Sequence, residues 1–127
     1  MTFHIITLFE DSFASYLKAS IIGRAIEDKK IKVKFYNPKD FERSAKRLDD
    51  KPYGGGPGMV IRALPVVRAI ERARGRKRKI KIIFLSPGGR QFTNTMARTI
   101  AKRWDSVIIV CGRYEGIDAR VMKIFRG

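Results

Sequence analysis

Apolar and polar positions fall in blocks along the chain, and the period changes from block to block. Phe3 to Leu8 is a short run rich in Ile and aromatics, which predicts a buried strand. After Asp11-Ser12, a helix start signal, apolar residues recur every four positions at Phe13, Leu17, Ile21 and Ala25, with Tyr16 and Ile22 widening the stripe. That period predicts one helix to about Asp28. Ile31-Lys32-Val33-Lys34-Phe35 alternates apolar and basic, the pattern of an edge-like strand with one wet face, and Asn37-Pro38 ends it. The polar segment from Lys39 to Lys51 is expected to hold one short helical turn around Phe41 to Ala45. The helical period returns from Ala63 to Arg74 through Leu64, Val67 and Ile70, and Gly75 punctuates it. Ile80 to Leu85 is nearly continuous in apolar residues, which predicts a strand buried on both faces. A helix is expected over about Thr93 to Arg103, carrying Met96, Ala97 and Ile100 inward. Val107 to Cys111 is the most hydrophobic strand, and Asp118 is a good N-cap for a last helix. Strand and helix alternate, so the predicted fold is α/β, a mostly parallel sheet with helices on both faces.

Composition narrows the partner. A chain of 127 residues, 44% hydrophobic, fits one domain with a real core. Its 28 Lys and Arg against 12 acidic residues give a formal charge of +16, more than solubility needs. A polyanion follows: RNA or DNA first, an anionic membrane surface second. The basic cluster Arg72, Arg74, Arg76, Lys77, Arg78, Lys79, Lys81 is the obvious contact. No apolar run approaches the roughly 20 residues of a spanning helix, and the N-terminus lacks the charge pattern and cleavage site of a signal peptide. A cytoplasmic location is the default expectation. Cys111 is the only cysteine, so neither an intrachain disulfide nor a cysteine-built metal site is expected. His4 is the only histidine, and on a strand it reads as structural.

Three glycine-rich stretches carry the candidate chemistry. Pro52-Tyr53-Gly54-Gly55-Gly56-Pro57-Gly58-Met59 makes a poor helix and a poor strand. Its glycines bare the backbone and its prolines stiffen the loop, so it suits a flat or anionic ligand, or else forms a plain surface turn. Leu85-Ser86-Pro87-Gly88-Gly89 and Cys111-Gly112-Arg113-Tyr114-Glu115-Gly116 each follow a strand. Ligands of open α/β sheets bind outside the carboxyl ends of strands. Neither stretch is a dinucleotide fingerprint or a P-loop. Their backbone groups suit a purine edge or a ribose, and Glu115 suits a cationic centre; ordinary strand-to-helix turns are the other reading.

The order and spacing of these blocks, with Ile6-Thr7-Leu8-Phe9 and Gly23-Arg24-Ala25, resemble the bacterial tRNA (guanine-N1)-methyltransferases, a family of the SPOUT class. The resemblance runs the whole length of the chain. It implies transfer of a methyl group from S-adenosylmethionine to N1 of guanosine 37 of tRNA, by a cytoplasmic homodimer with a deep trefoil knot and its active site at the subunit interface. It assigns Phe84, Leu85, Ser86, Pro87 and Gly89 to one cofactor loop, and Gly112, Tyr114, Glu115 and Gly116 to a second. It assigns Asp49, Tyr53, Gly54, Gly55, Gly56, Pro57, Gly58 and Arg113 to the target guanosine and its surroundings. The chain departs from the family's usual Tyr at Phe84 and Gln at Gly88. The family also continues beyond Gly127 with a third cofactor loop, a catalytic Asp and a tRNA-gripping helical domain. Residues 1–127 are therefore expected to form the N-terminal part of the methyltransferase domain, with the knot incomplete and no catalytic residue of their own. A non-catalytic RNA-binding fragment of the family is the alternative.

Overall fold

The computed structural model describes residues 1–43, 49–50, 60–112 and 116–126, with 49, 50 and 60 described at the backbone alone. Four parallel strands form the main sheet: β1 (Thr2–Ile6), β2 (Lys32–Tyr36), β5 (Ile80–Phe84) and β6 (Ser106–Val110), in the order β2-β1-β6-β5. Asp49–Asp50 (β3) and Val60–Ile61 (β4) make a separate antiparallel pair. The helices are α1 (Ala14–Lys18), α2 (Ser20–Glu27), α3 (Ala63–Arg74), α4 (Asn94–Arg103) and α5 (Ala119–Ile124).

The connections β1→β2 and β5→β6 step one way across the sheet, and β2→β5 steps the other way. Right-handed crossovers therefore put α1, α2 and α4 on one face and α3 on the other, which gives the predicted two-faced α/β architecture. The main core lies on the α3 face. Val66, Ala69, Ile70 and Ala73 of α3 close over Ile6, Ile80, Ile108 and Val110, and Val121 of α5 joins them. Ring contact between Phe13 and Phe35, with centroids 5.6 Å apart, marks the opposite face.

Four expectations are corrected. The single helix from Asp11 to Asp28 is broken. A 3-10 turn (Glu10–Phe13) without a side-chain cap leads into α1, Ala19 is extended, and Ser20, the first residue of α2, takes φ +48. The break lets α2 fold back on α1 so closely that a Cβ on Gly23 would lie 2.5 Å from the Lys18 carbonyl oxygen. It also turns Tyr16 and Ile21 out of the predicted stripe, leaving both 74% exposed. Second, β5 is an edge strand of the described sheet, so Ile82, Ile83 and Phe84 are only half-buried. Third, α4 buries no residue fully, and Met96 is exposed. Fourth, the turn expected around Phe41 to Ala45 is a 3-10 turn at Pro38–Phe41, opened by the Asn37 side chain accepting from the Lys39 N–H at 3.0 Å; Ala45 lies outside the described residues.

β2 is the predicted edge strand with Lys32 and Lys34 exposed, and β6 is the buried central strand. Thr93 caps α4 and Asp118 caps α5. Among the described residues no helix is long and apolar enough to cross a membrane.

Candidate functional site

Parallel pairing decides what meets at the carboxyl end of the sheet. β5 lies beside β6 with Phe84 opposite Val110, so the two glycine-rich strand ends leave the sheet side by side. The Leu85 N–H donates to the Val110 carbonyl at 3.1 Å, and the Cys111 N–H to the Ile6 carbonyl at 2.9 Å. Each loop is thus pinned at its root.

Ser86 then shapes the first loop. Its Oγ accepts from the Gly88 N–H at 3.3 Å, and its carbonyl accepts from the Gly89 N–H at 3.0 Å. A Cβ on Gly89 would come within 3.1 Å of that carbonyl. Leu85, Ser86, Pro87 and Gly89 are all exposed, with Leu85 at 57%, whereas Phe84 is half-buried under the loop's root.

The second loop closes on itself. A Cβ on Gly112 would meet Ile117 Cγ1 at 3.3 Å and Gly116 Cα at 3.6 Å, so the start of the loop packs against its own end. Gly116 takes φ +119, a conformation that favours glycine. Arg113, Tyr114 and Glu115, between them, lie outside the described residues.

The feature that sequence reading missed is the link between this loop and the third stretch. The Ile61 N–H donates to the Gly116 carbonyl at 3.1 Å, and the Asp118 N–H donates to the Ile61 carbonyl at 3.0 Å. Ile61 also pairs with Asp49 across the β3–β4 ladder. Both feet of the 51–59 loop are therefore held against the exit of the second loop. Tyr53, Gly54, Gly55, Gly56, Pro57 and Gly58 themselves, and the side chain of Asp49, lie outside the described residues. The signal for this link was present only as the paired apolar residues Ile61 and Ile117, each beside a glycine-rich block.

The titratable groups nearby are committed to structure. Asp118 Oδ1 accepts from the Arg120 N–H at 2.9 Å, and its carboxylate pairs with the Arg120 guanidinium at 2.7 Å. The hydrogen bond from Arg120 holds the Asp118 carboxyl below its ordinary range, so it is a poor proton acceptor. Burial pushes the Cys111 thiol up, which keeps it protonated and unreactive. His4 is buried, with Nδ1 3.1 Å from the Tyr36 hydroxyl and Nε2 without a partner among the described residues. Burial, then Lys77 and Lys34, lower its pKa to about 4. It is a neutral core histidine. Among the described residues no three His, Cys, Asp or Glu side chains cluster as metal ligands.

A groove of about 600 Å³ runs along the open edge of β5, lined by Ile82, Trp104, Met122 and Phe125, with Arg74, Arg78, Lys81 and Arg126 among its walls. It shares only Phe84 with the residues expected to hold a cofactor, so this groove and the loop cluster are different places.

The sequence model of the family described as tRNA (Guanine-1)-methyltransferase TrmD matches residues 1–126. The chain belongs to that family. A tRNA (guanine-N(1)-)-methyltransferase of Caldanaerobacter subterraneus subsp. tengcongensis is 44% identical over 128 residues, covering 100% of this chain and 52% of that protein. The protein of the same description from Pseudoalteromonas atlantica is 42% identical over 123 residues, covering 95% of this chain and 46% of its own length. The crystal structure of the tRNA (m1G37) methyltransferase from Aquifex aeolicus superposes with a TM-score of 0.86 at 31% identity, over 98% of this chain and 56% of that one. The chain thus spans about half the length of the relatives it matches.

Proposed function

We propose that this chain supplies the amino-terminal part of a methyltransferase domain that moves a methyl group from S-adenosylmethionine to N1 of guanosine 37 of tRNA. The observation that carries the reading is the Ile61 linkage, which ties the feet of the glycine loop to the second cofactor loop while β5–β6 pairing sets the first loop beside it.

The loops suit that cofactor. The first loop is exposed from Leu85 to Gly89 and offers backbone groups and the apolar Leu85 side chain. Phe84, Leu85, Ser86, Pro87 and Gly89, with Gly112, Tyr114, Glu115 and Gly116, would hold it. The bound cofactor supplies an electrophilic methyl carried on a sulfonium centre. The chain's own residues orient the partners. The 51–59 loop and Arg113 would hold the guanine, which must leave its stack to be reached. N1 of guanine also carries a proton that a positioned base must accept. Asp118 is unsuited to that task, being fixed by Arg120 and by its cap. Asp49, Asp50 and Glu115 remain the carboxylates of this chain closest in sequence to the loops.

The same reading includes a homodimer and a cytoplasmic location. Tyr16 and Ile21, each 74% exposed on packed neighbouring helices, offer surface for a second copy.

The test incubates residues 1–127 with tRNA bearing guanosine 37 and labelled cofactor, beside a protein extended to the length of the relatives. Methyl transfer by the extended protein, absent when the tRNA carries adenosine 37, is expected. The short chain is expected to bind the cofactor weakly and not to turn over. Turnover by the short chain would assign the base to Asp49, Asp50 or Glu115. Failure of the extended protein on guanosine 37 would leave the RNA-binding alternative.

A further inference from the structure

The amino ends of the strands gather charge from segments that are far apart in sequence. Each basic turn precedes a strand, and hydrogen bonds lace these turns into one rim. The N-terminal ammonium of Met1 donates to the Lys30 carbonyl at 3.4 Å, and the Lys32 N–H donates to the Met1 carbonyl at 3.1 Å. On the other side, the Thr2 N–H donates to the Asp105 carbonyl at 3.1 Å, and the Asp105 N–H to the Lys79 carbonyl at 3.1 Å. The ends of α2, α3 and α4 are thereby brought side by side.

Residues 27–30, 71–79 and 102–105 carry ten Lys and Arg against four Asp and Glu. The rim is therefore strongly positive, and these side chains are exposed. Local geometry keeps it so. Gly75 leaves α3 at φ +52 and sends Arg76 to Lys79 across the end of the sheet. Lys29, at φ +57, ends α2, with the Lys30 N–H donating back to the Ala25 carbonyl at 2.9 Å. Lys77 also donates to the Ala73 carbonyl at 3.1 Å, and Lys30 lies 3.9 Å from the Asp28 carboxylate.

This rim lies at the end of the sheet opposite the glycine-rich loops. Five-residue parallel strands separate the two by roughly 17 Å. We propose that the rim is a second RNA-binding surface that grips the phosphate backbone of a double-helical RNA arm while the loops attend to the target base. Two observations favour a helical arm over a single strand and over a membrane surface. Trp104 is the only aromatic residue in these segments and is half-buried, so the rim lacks the stacking platforms that single strands use. Among the described residues, none of the large exposed apolar side chains belongs to these segments, so the rim also lacks the apolar anchors that hold a protein in a membrane surface.

The choice of RNA among polyanions rests on the proposed function, but the test does not need catalysis. The probe is a blunt RNA duplex of about 16 base pairs, without a loop or a methyl donor. Its binding is followed by fluorescence anisotropy across a salt series. Lys79→Ala/Lys102→Ala/Arg103→Ala is compared with Lys18→Ala/Lys39→Ala/Lys123→Ala, which removes the same charge elsewhere. The rim variant is expected to lose at least tenfold in affinity at low salt and about 2–3 units of the salt slope. The control is expected to lose less than threefold and keep its slope. Lys29→Asn/Lys30→Gln tests the same rim from another segment should the first variant fold poorly, since Asn tolerates the left-handed backbone. Equal losses in rim and control variants would overturn the proposal, because affinity would then follow net charge alone. Tighter, rim-dependent binding to phosphatidylserine vesicles than to the duplex would overturn it in favour of a membrane surface.

Discussion

His4 shows how one residue's role is set by its surroundings. As the only histidine it could have been a general base, but it sits 1% exposed with its ring against Tyr36. Burial is the larger cause of its pKa near 4, and the charges of Lys77 and Lys34 add to it. The folded value lies below the ordinary 6.5, so the unfolded chain takes up the proton first. Stability is therefore whole above pH 6.5 and falls as pH drops towards 4, by on the order of 3 kcal/mol. Urea titrations at stepped pH should show this decline in the wild type. They should show it weakened in His4→Asn, which can keep a partner for the Tyr36 hydroxyl without titrating. Superimposable pH profiles for the two proteins would refute the assignment.

At the scale of elements, the α1–α2 corner decides more than its length suggests. Replacing Gly23 by Ala should raise helix propensity by about 1 kcal/mol. The new Cβ, however, would stand 2.5 Å from the Lys18 carbonyl oxygen and 2.8 Å from its carbon. Both are backbone atoms and cannot swing aside, so the clash outweighs propensity. A net loss of about 1–3 kcal/mol is expected in the unfolding free energy of Gly23→Ala. An unchanged or higher urea midpoint would show that the corner yields. The same corner explains why the four-residue stripe misled: the period is real on each side of Ala19, but the axis changes direction between them. The β3–β4 ladder was equally hidden, because two-residue strands carry no readable period.

At the scale of the whole molecule, the two ends of the sheet differ in character. The carboxyl end carries exposed glycine-rich backbone, and the amino end carries the basic rim. The face of α1 and α2 adds a third surface, with Tyr16 and Ile21 standing out from it. Sedimentation velocity over a concentration series should show a reversible dimer, and Tyr16→Ser/Ile21→Ser should sediment as a monomer with an unchanged far-UV spectrum. A wild-type chain that stays monomeric at every concentration would remove these residues from any dimer contact.

The sequence by itself determined the alternation of the four main strands with helices, the Asp118 cap, the strongly apolar β6 and the identity of the glycine-rich blocks. These are local properties, set by side-chain period, turn chemistry and the residues that can stand at a helix start. Family membership was legible for a similar reason, since Pro52 to Met59 and Cys111 to Asp118 are continuous strings. Tertiary structure decided what is non-local: the direction in which α2 leaves α1, the edge position of β5, and the pairing of Ile61 with Gly116 and Ile117. It also decided that Lys30, Lys79 and Asp105 share one rim, because hydrogen bonds through Met1 and Thr2, and from the Asp105 N–H to the Lys79 carbonyl, bring those turns together. A backbone hydrogen bond between distant residues leaves no trace in side-chain pattern, since every residue except proline carries the same donor and acceptor.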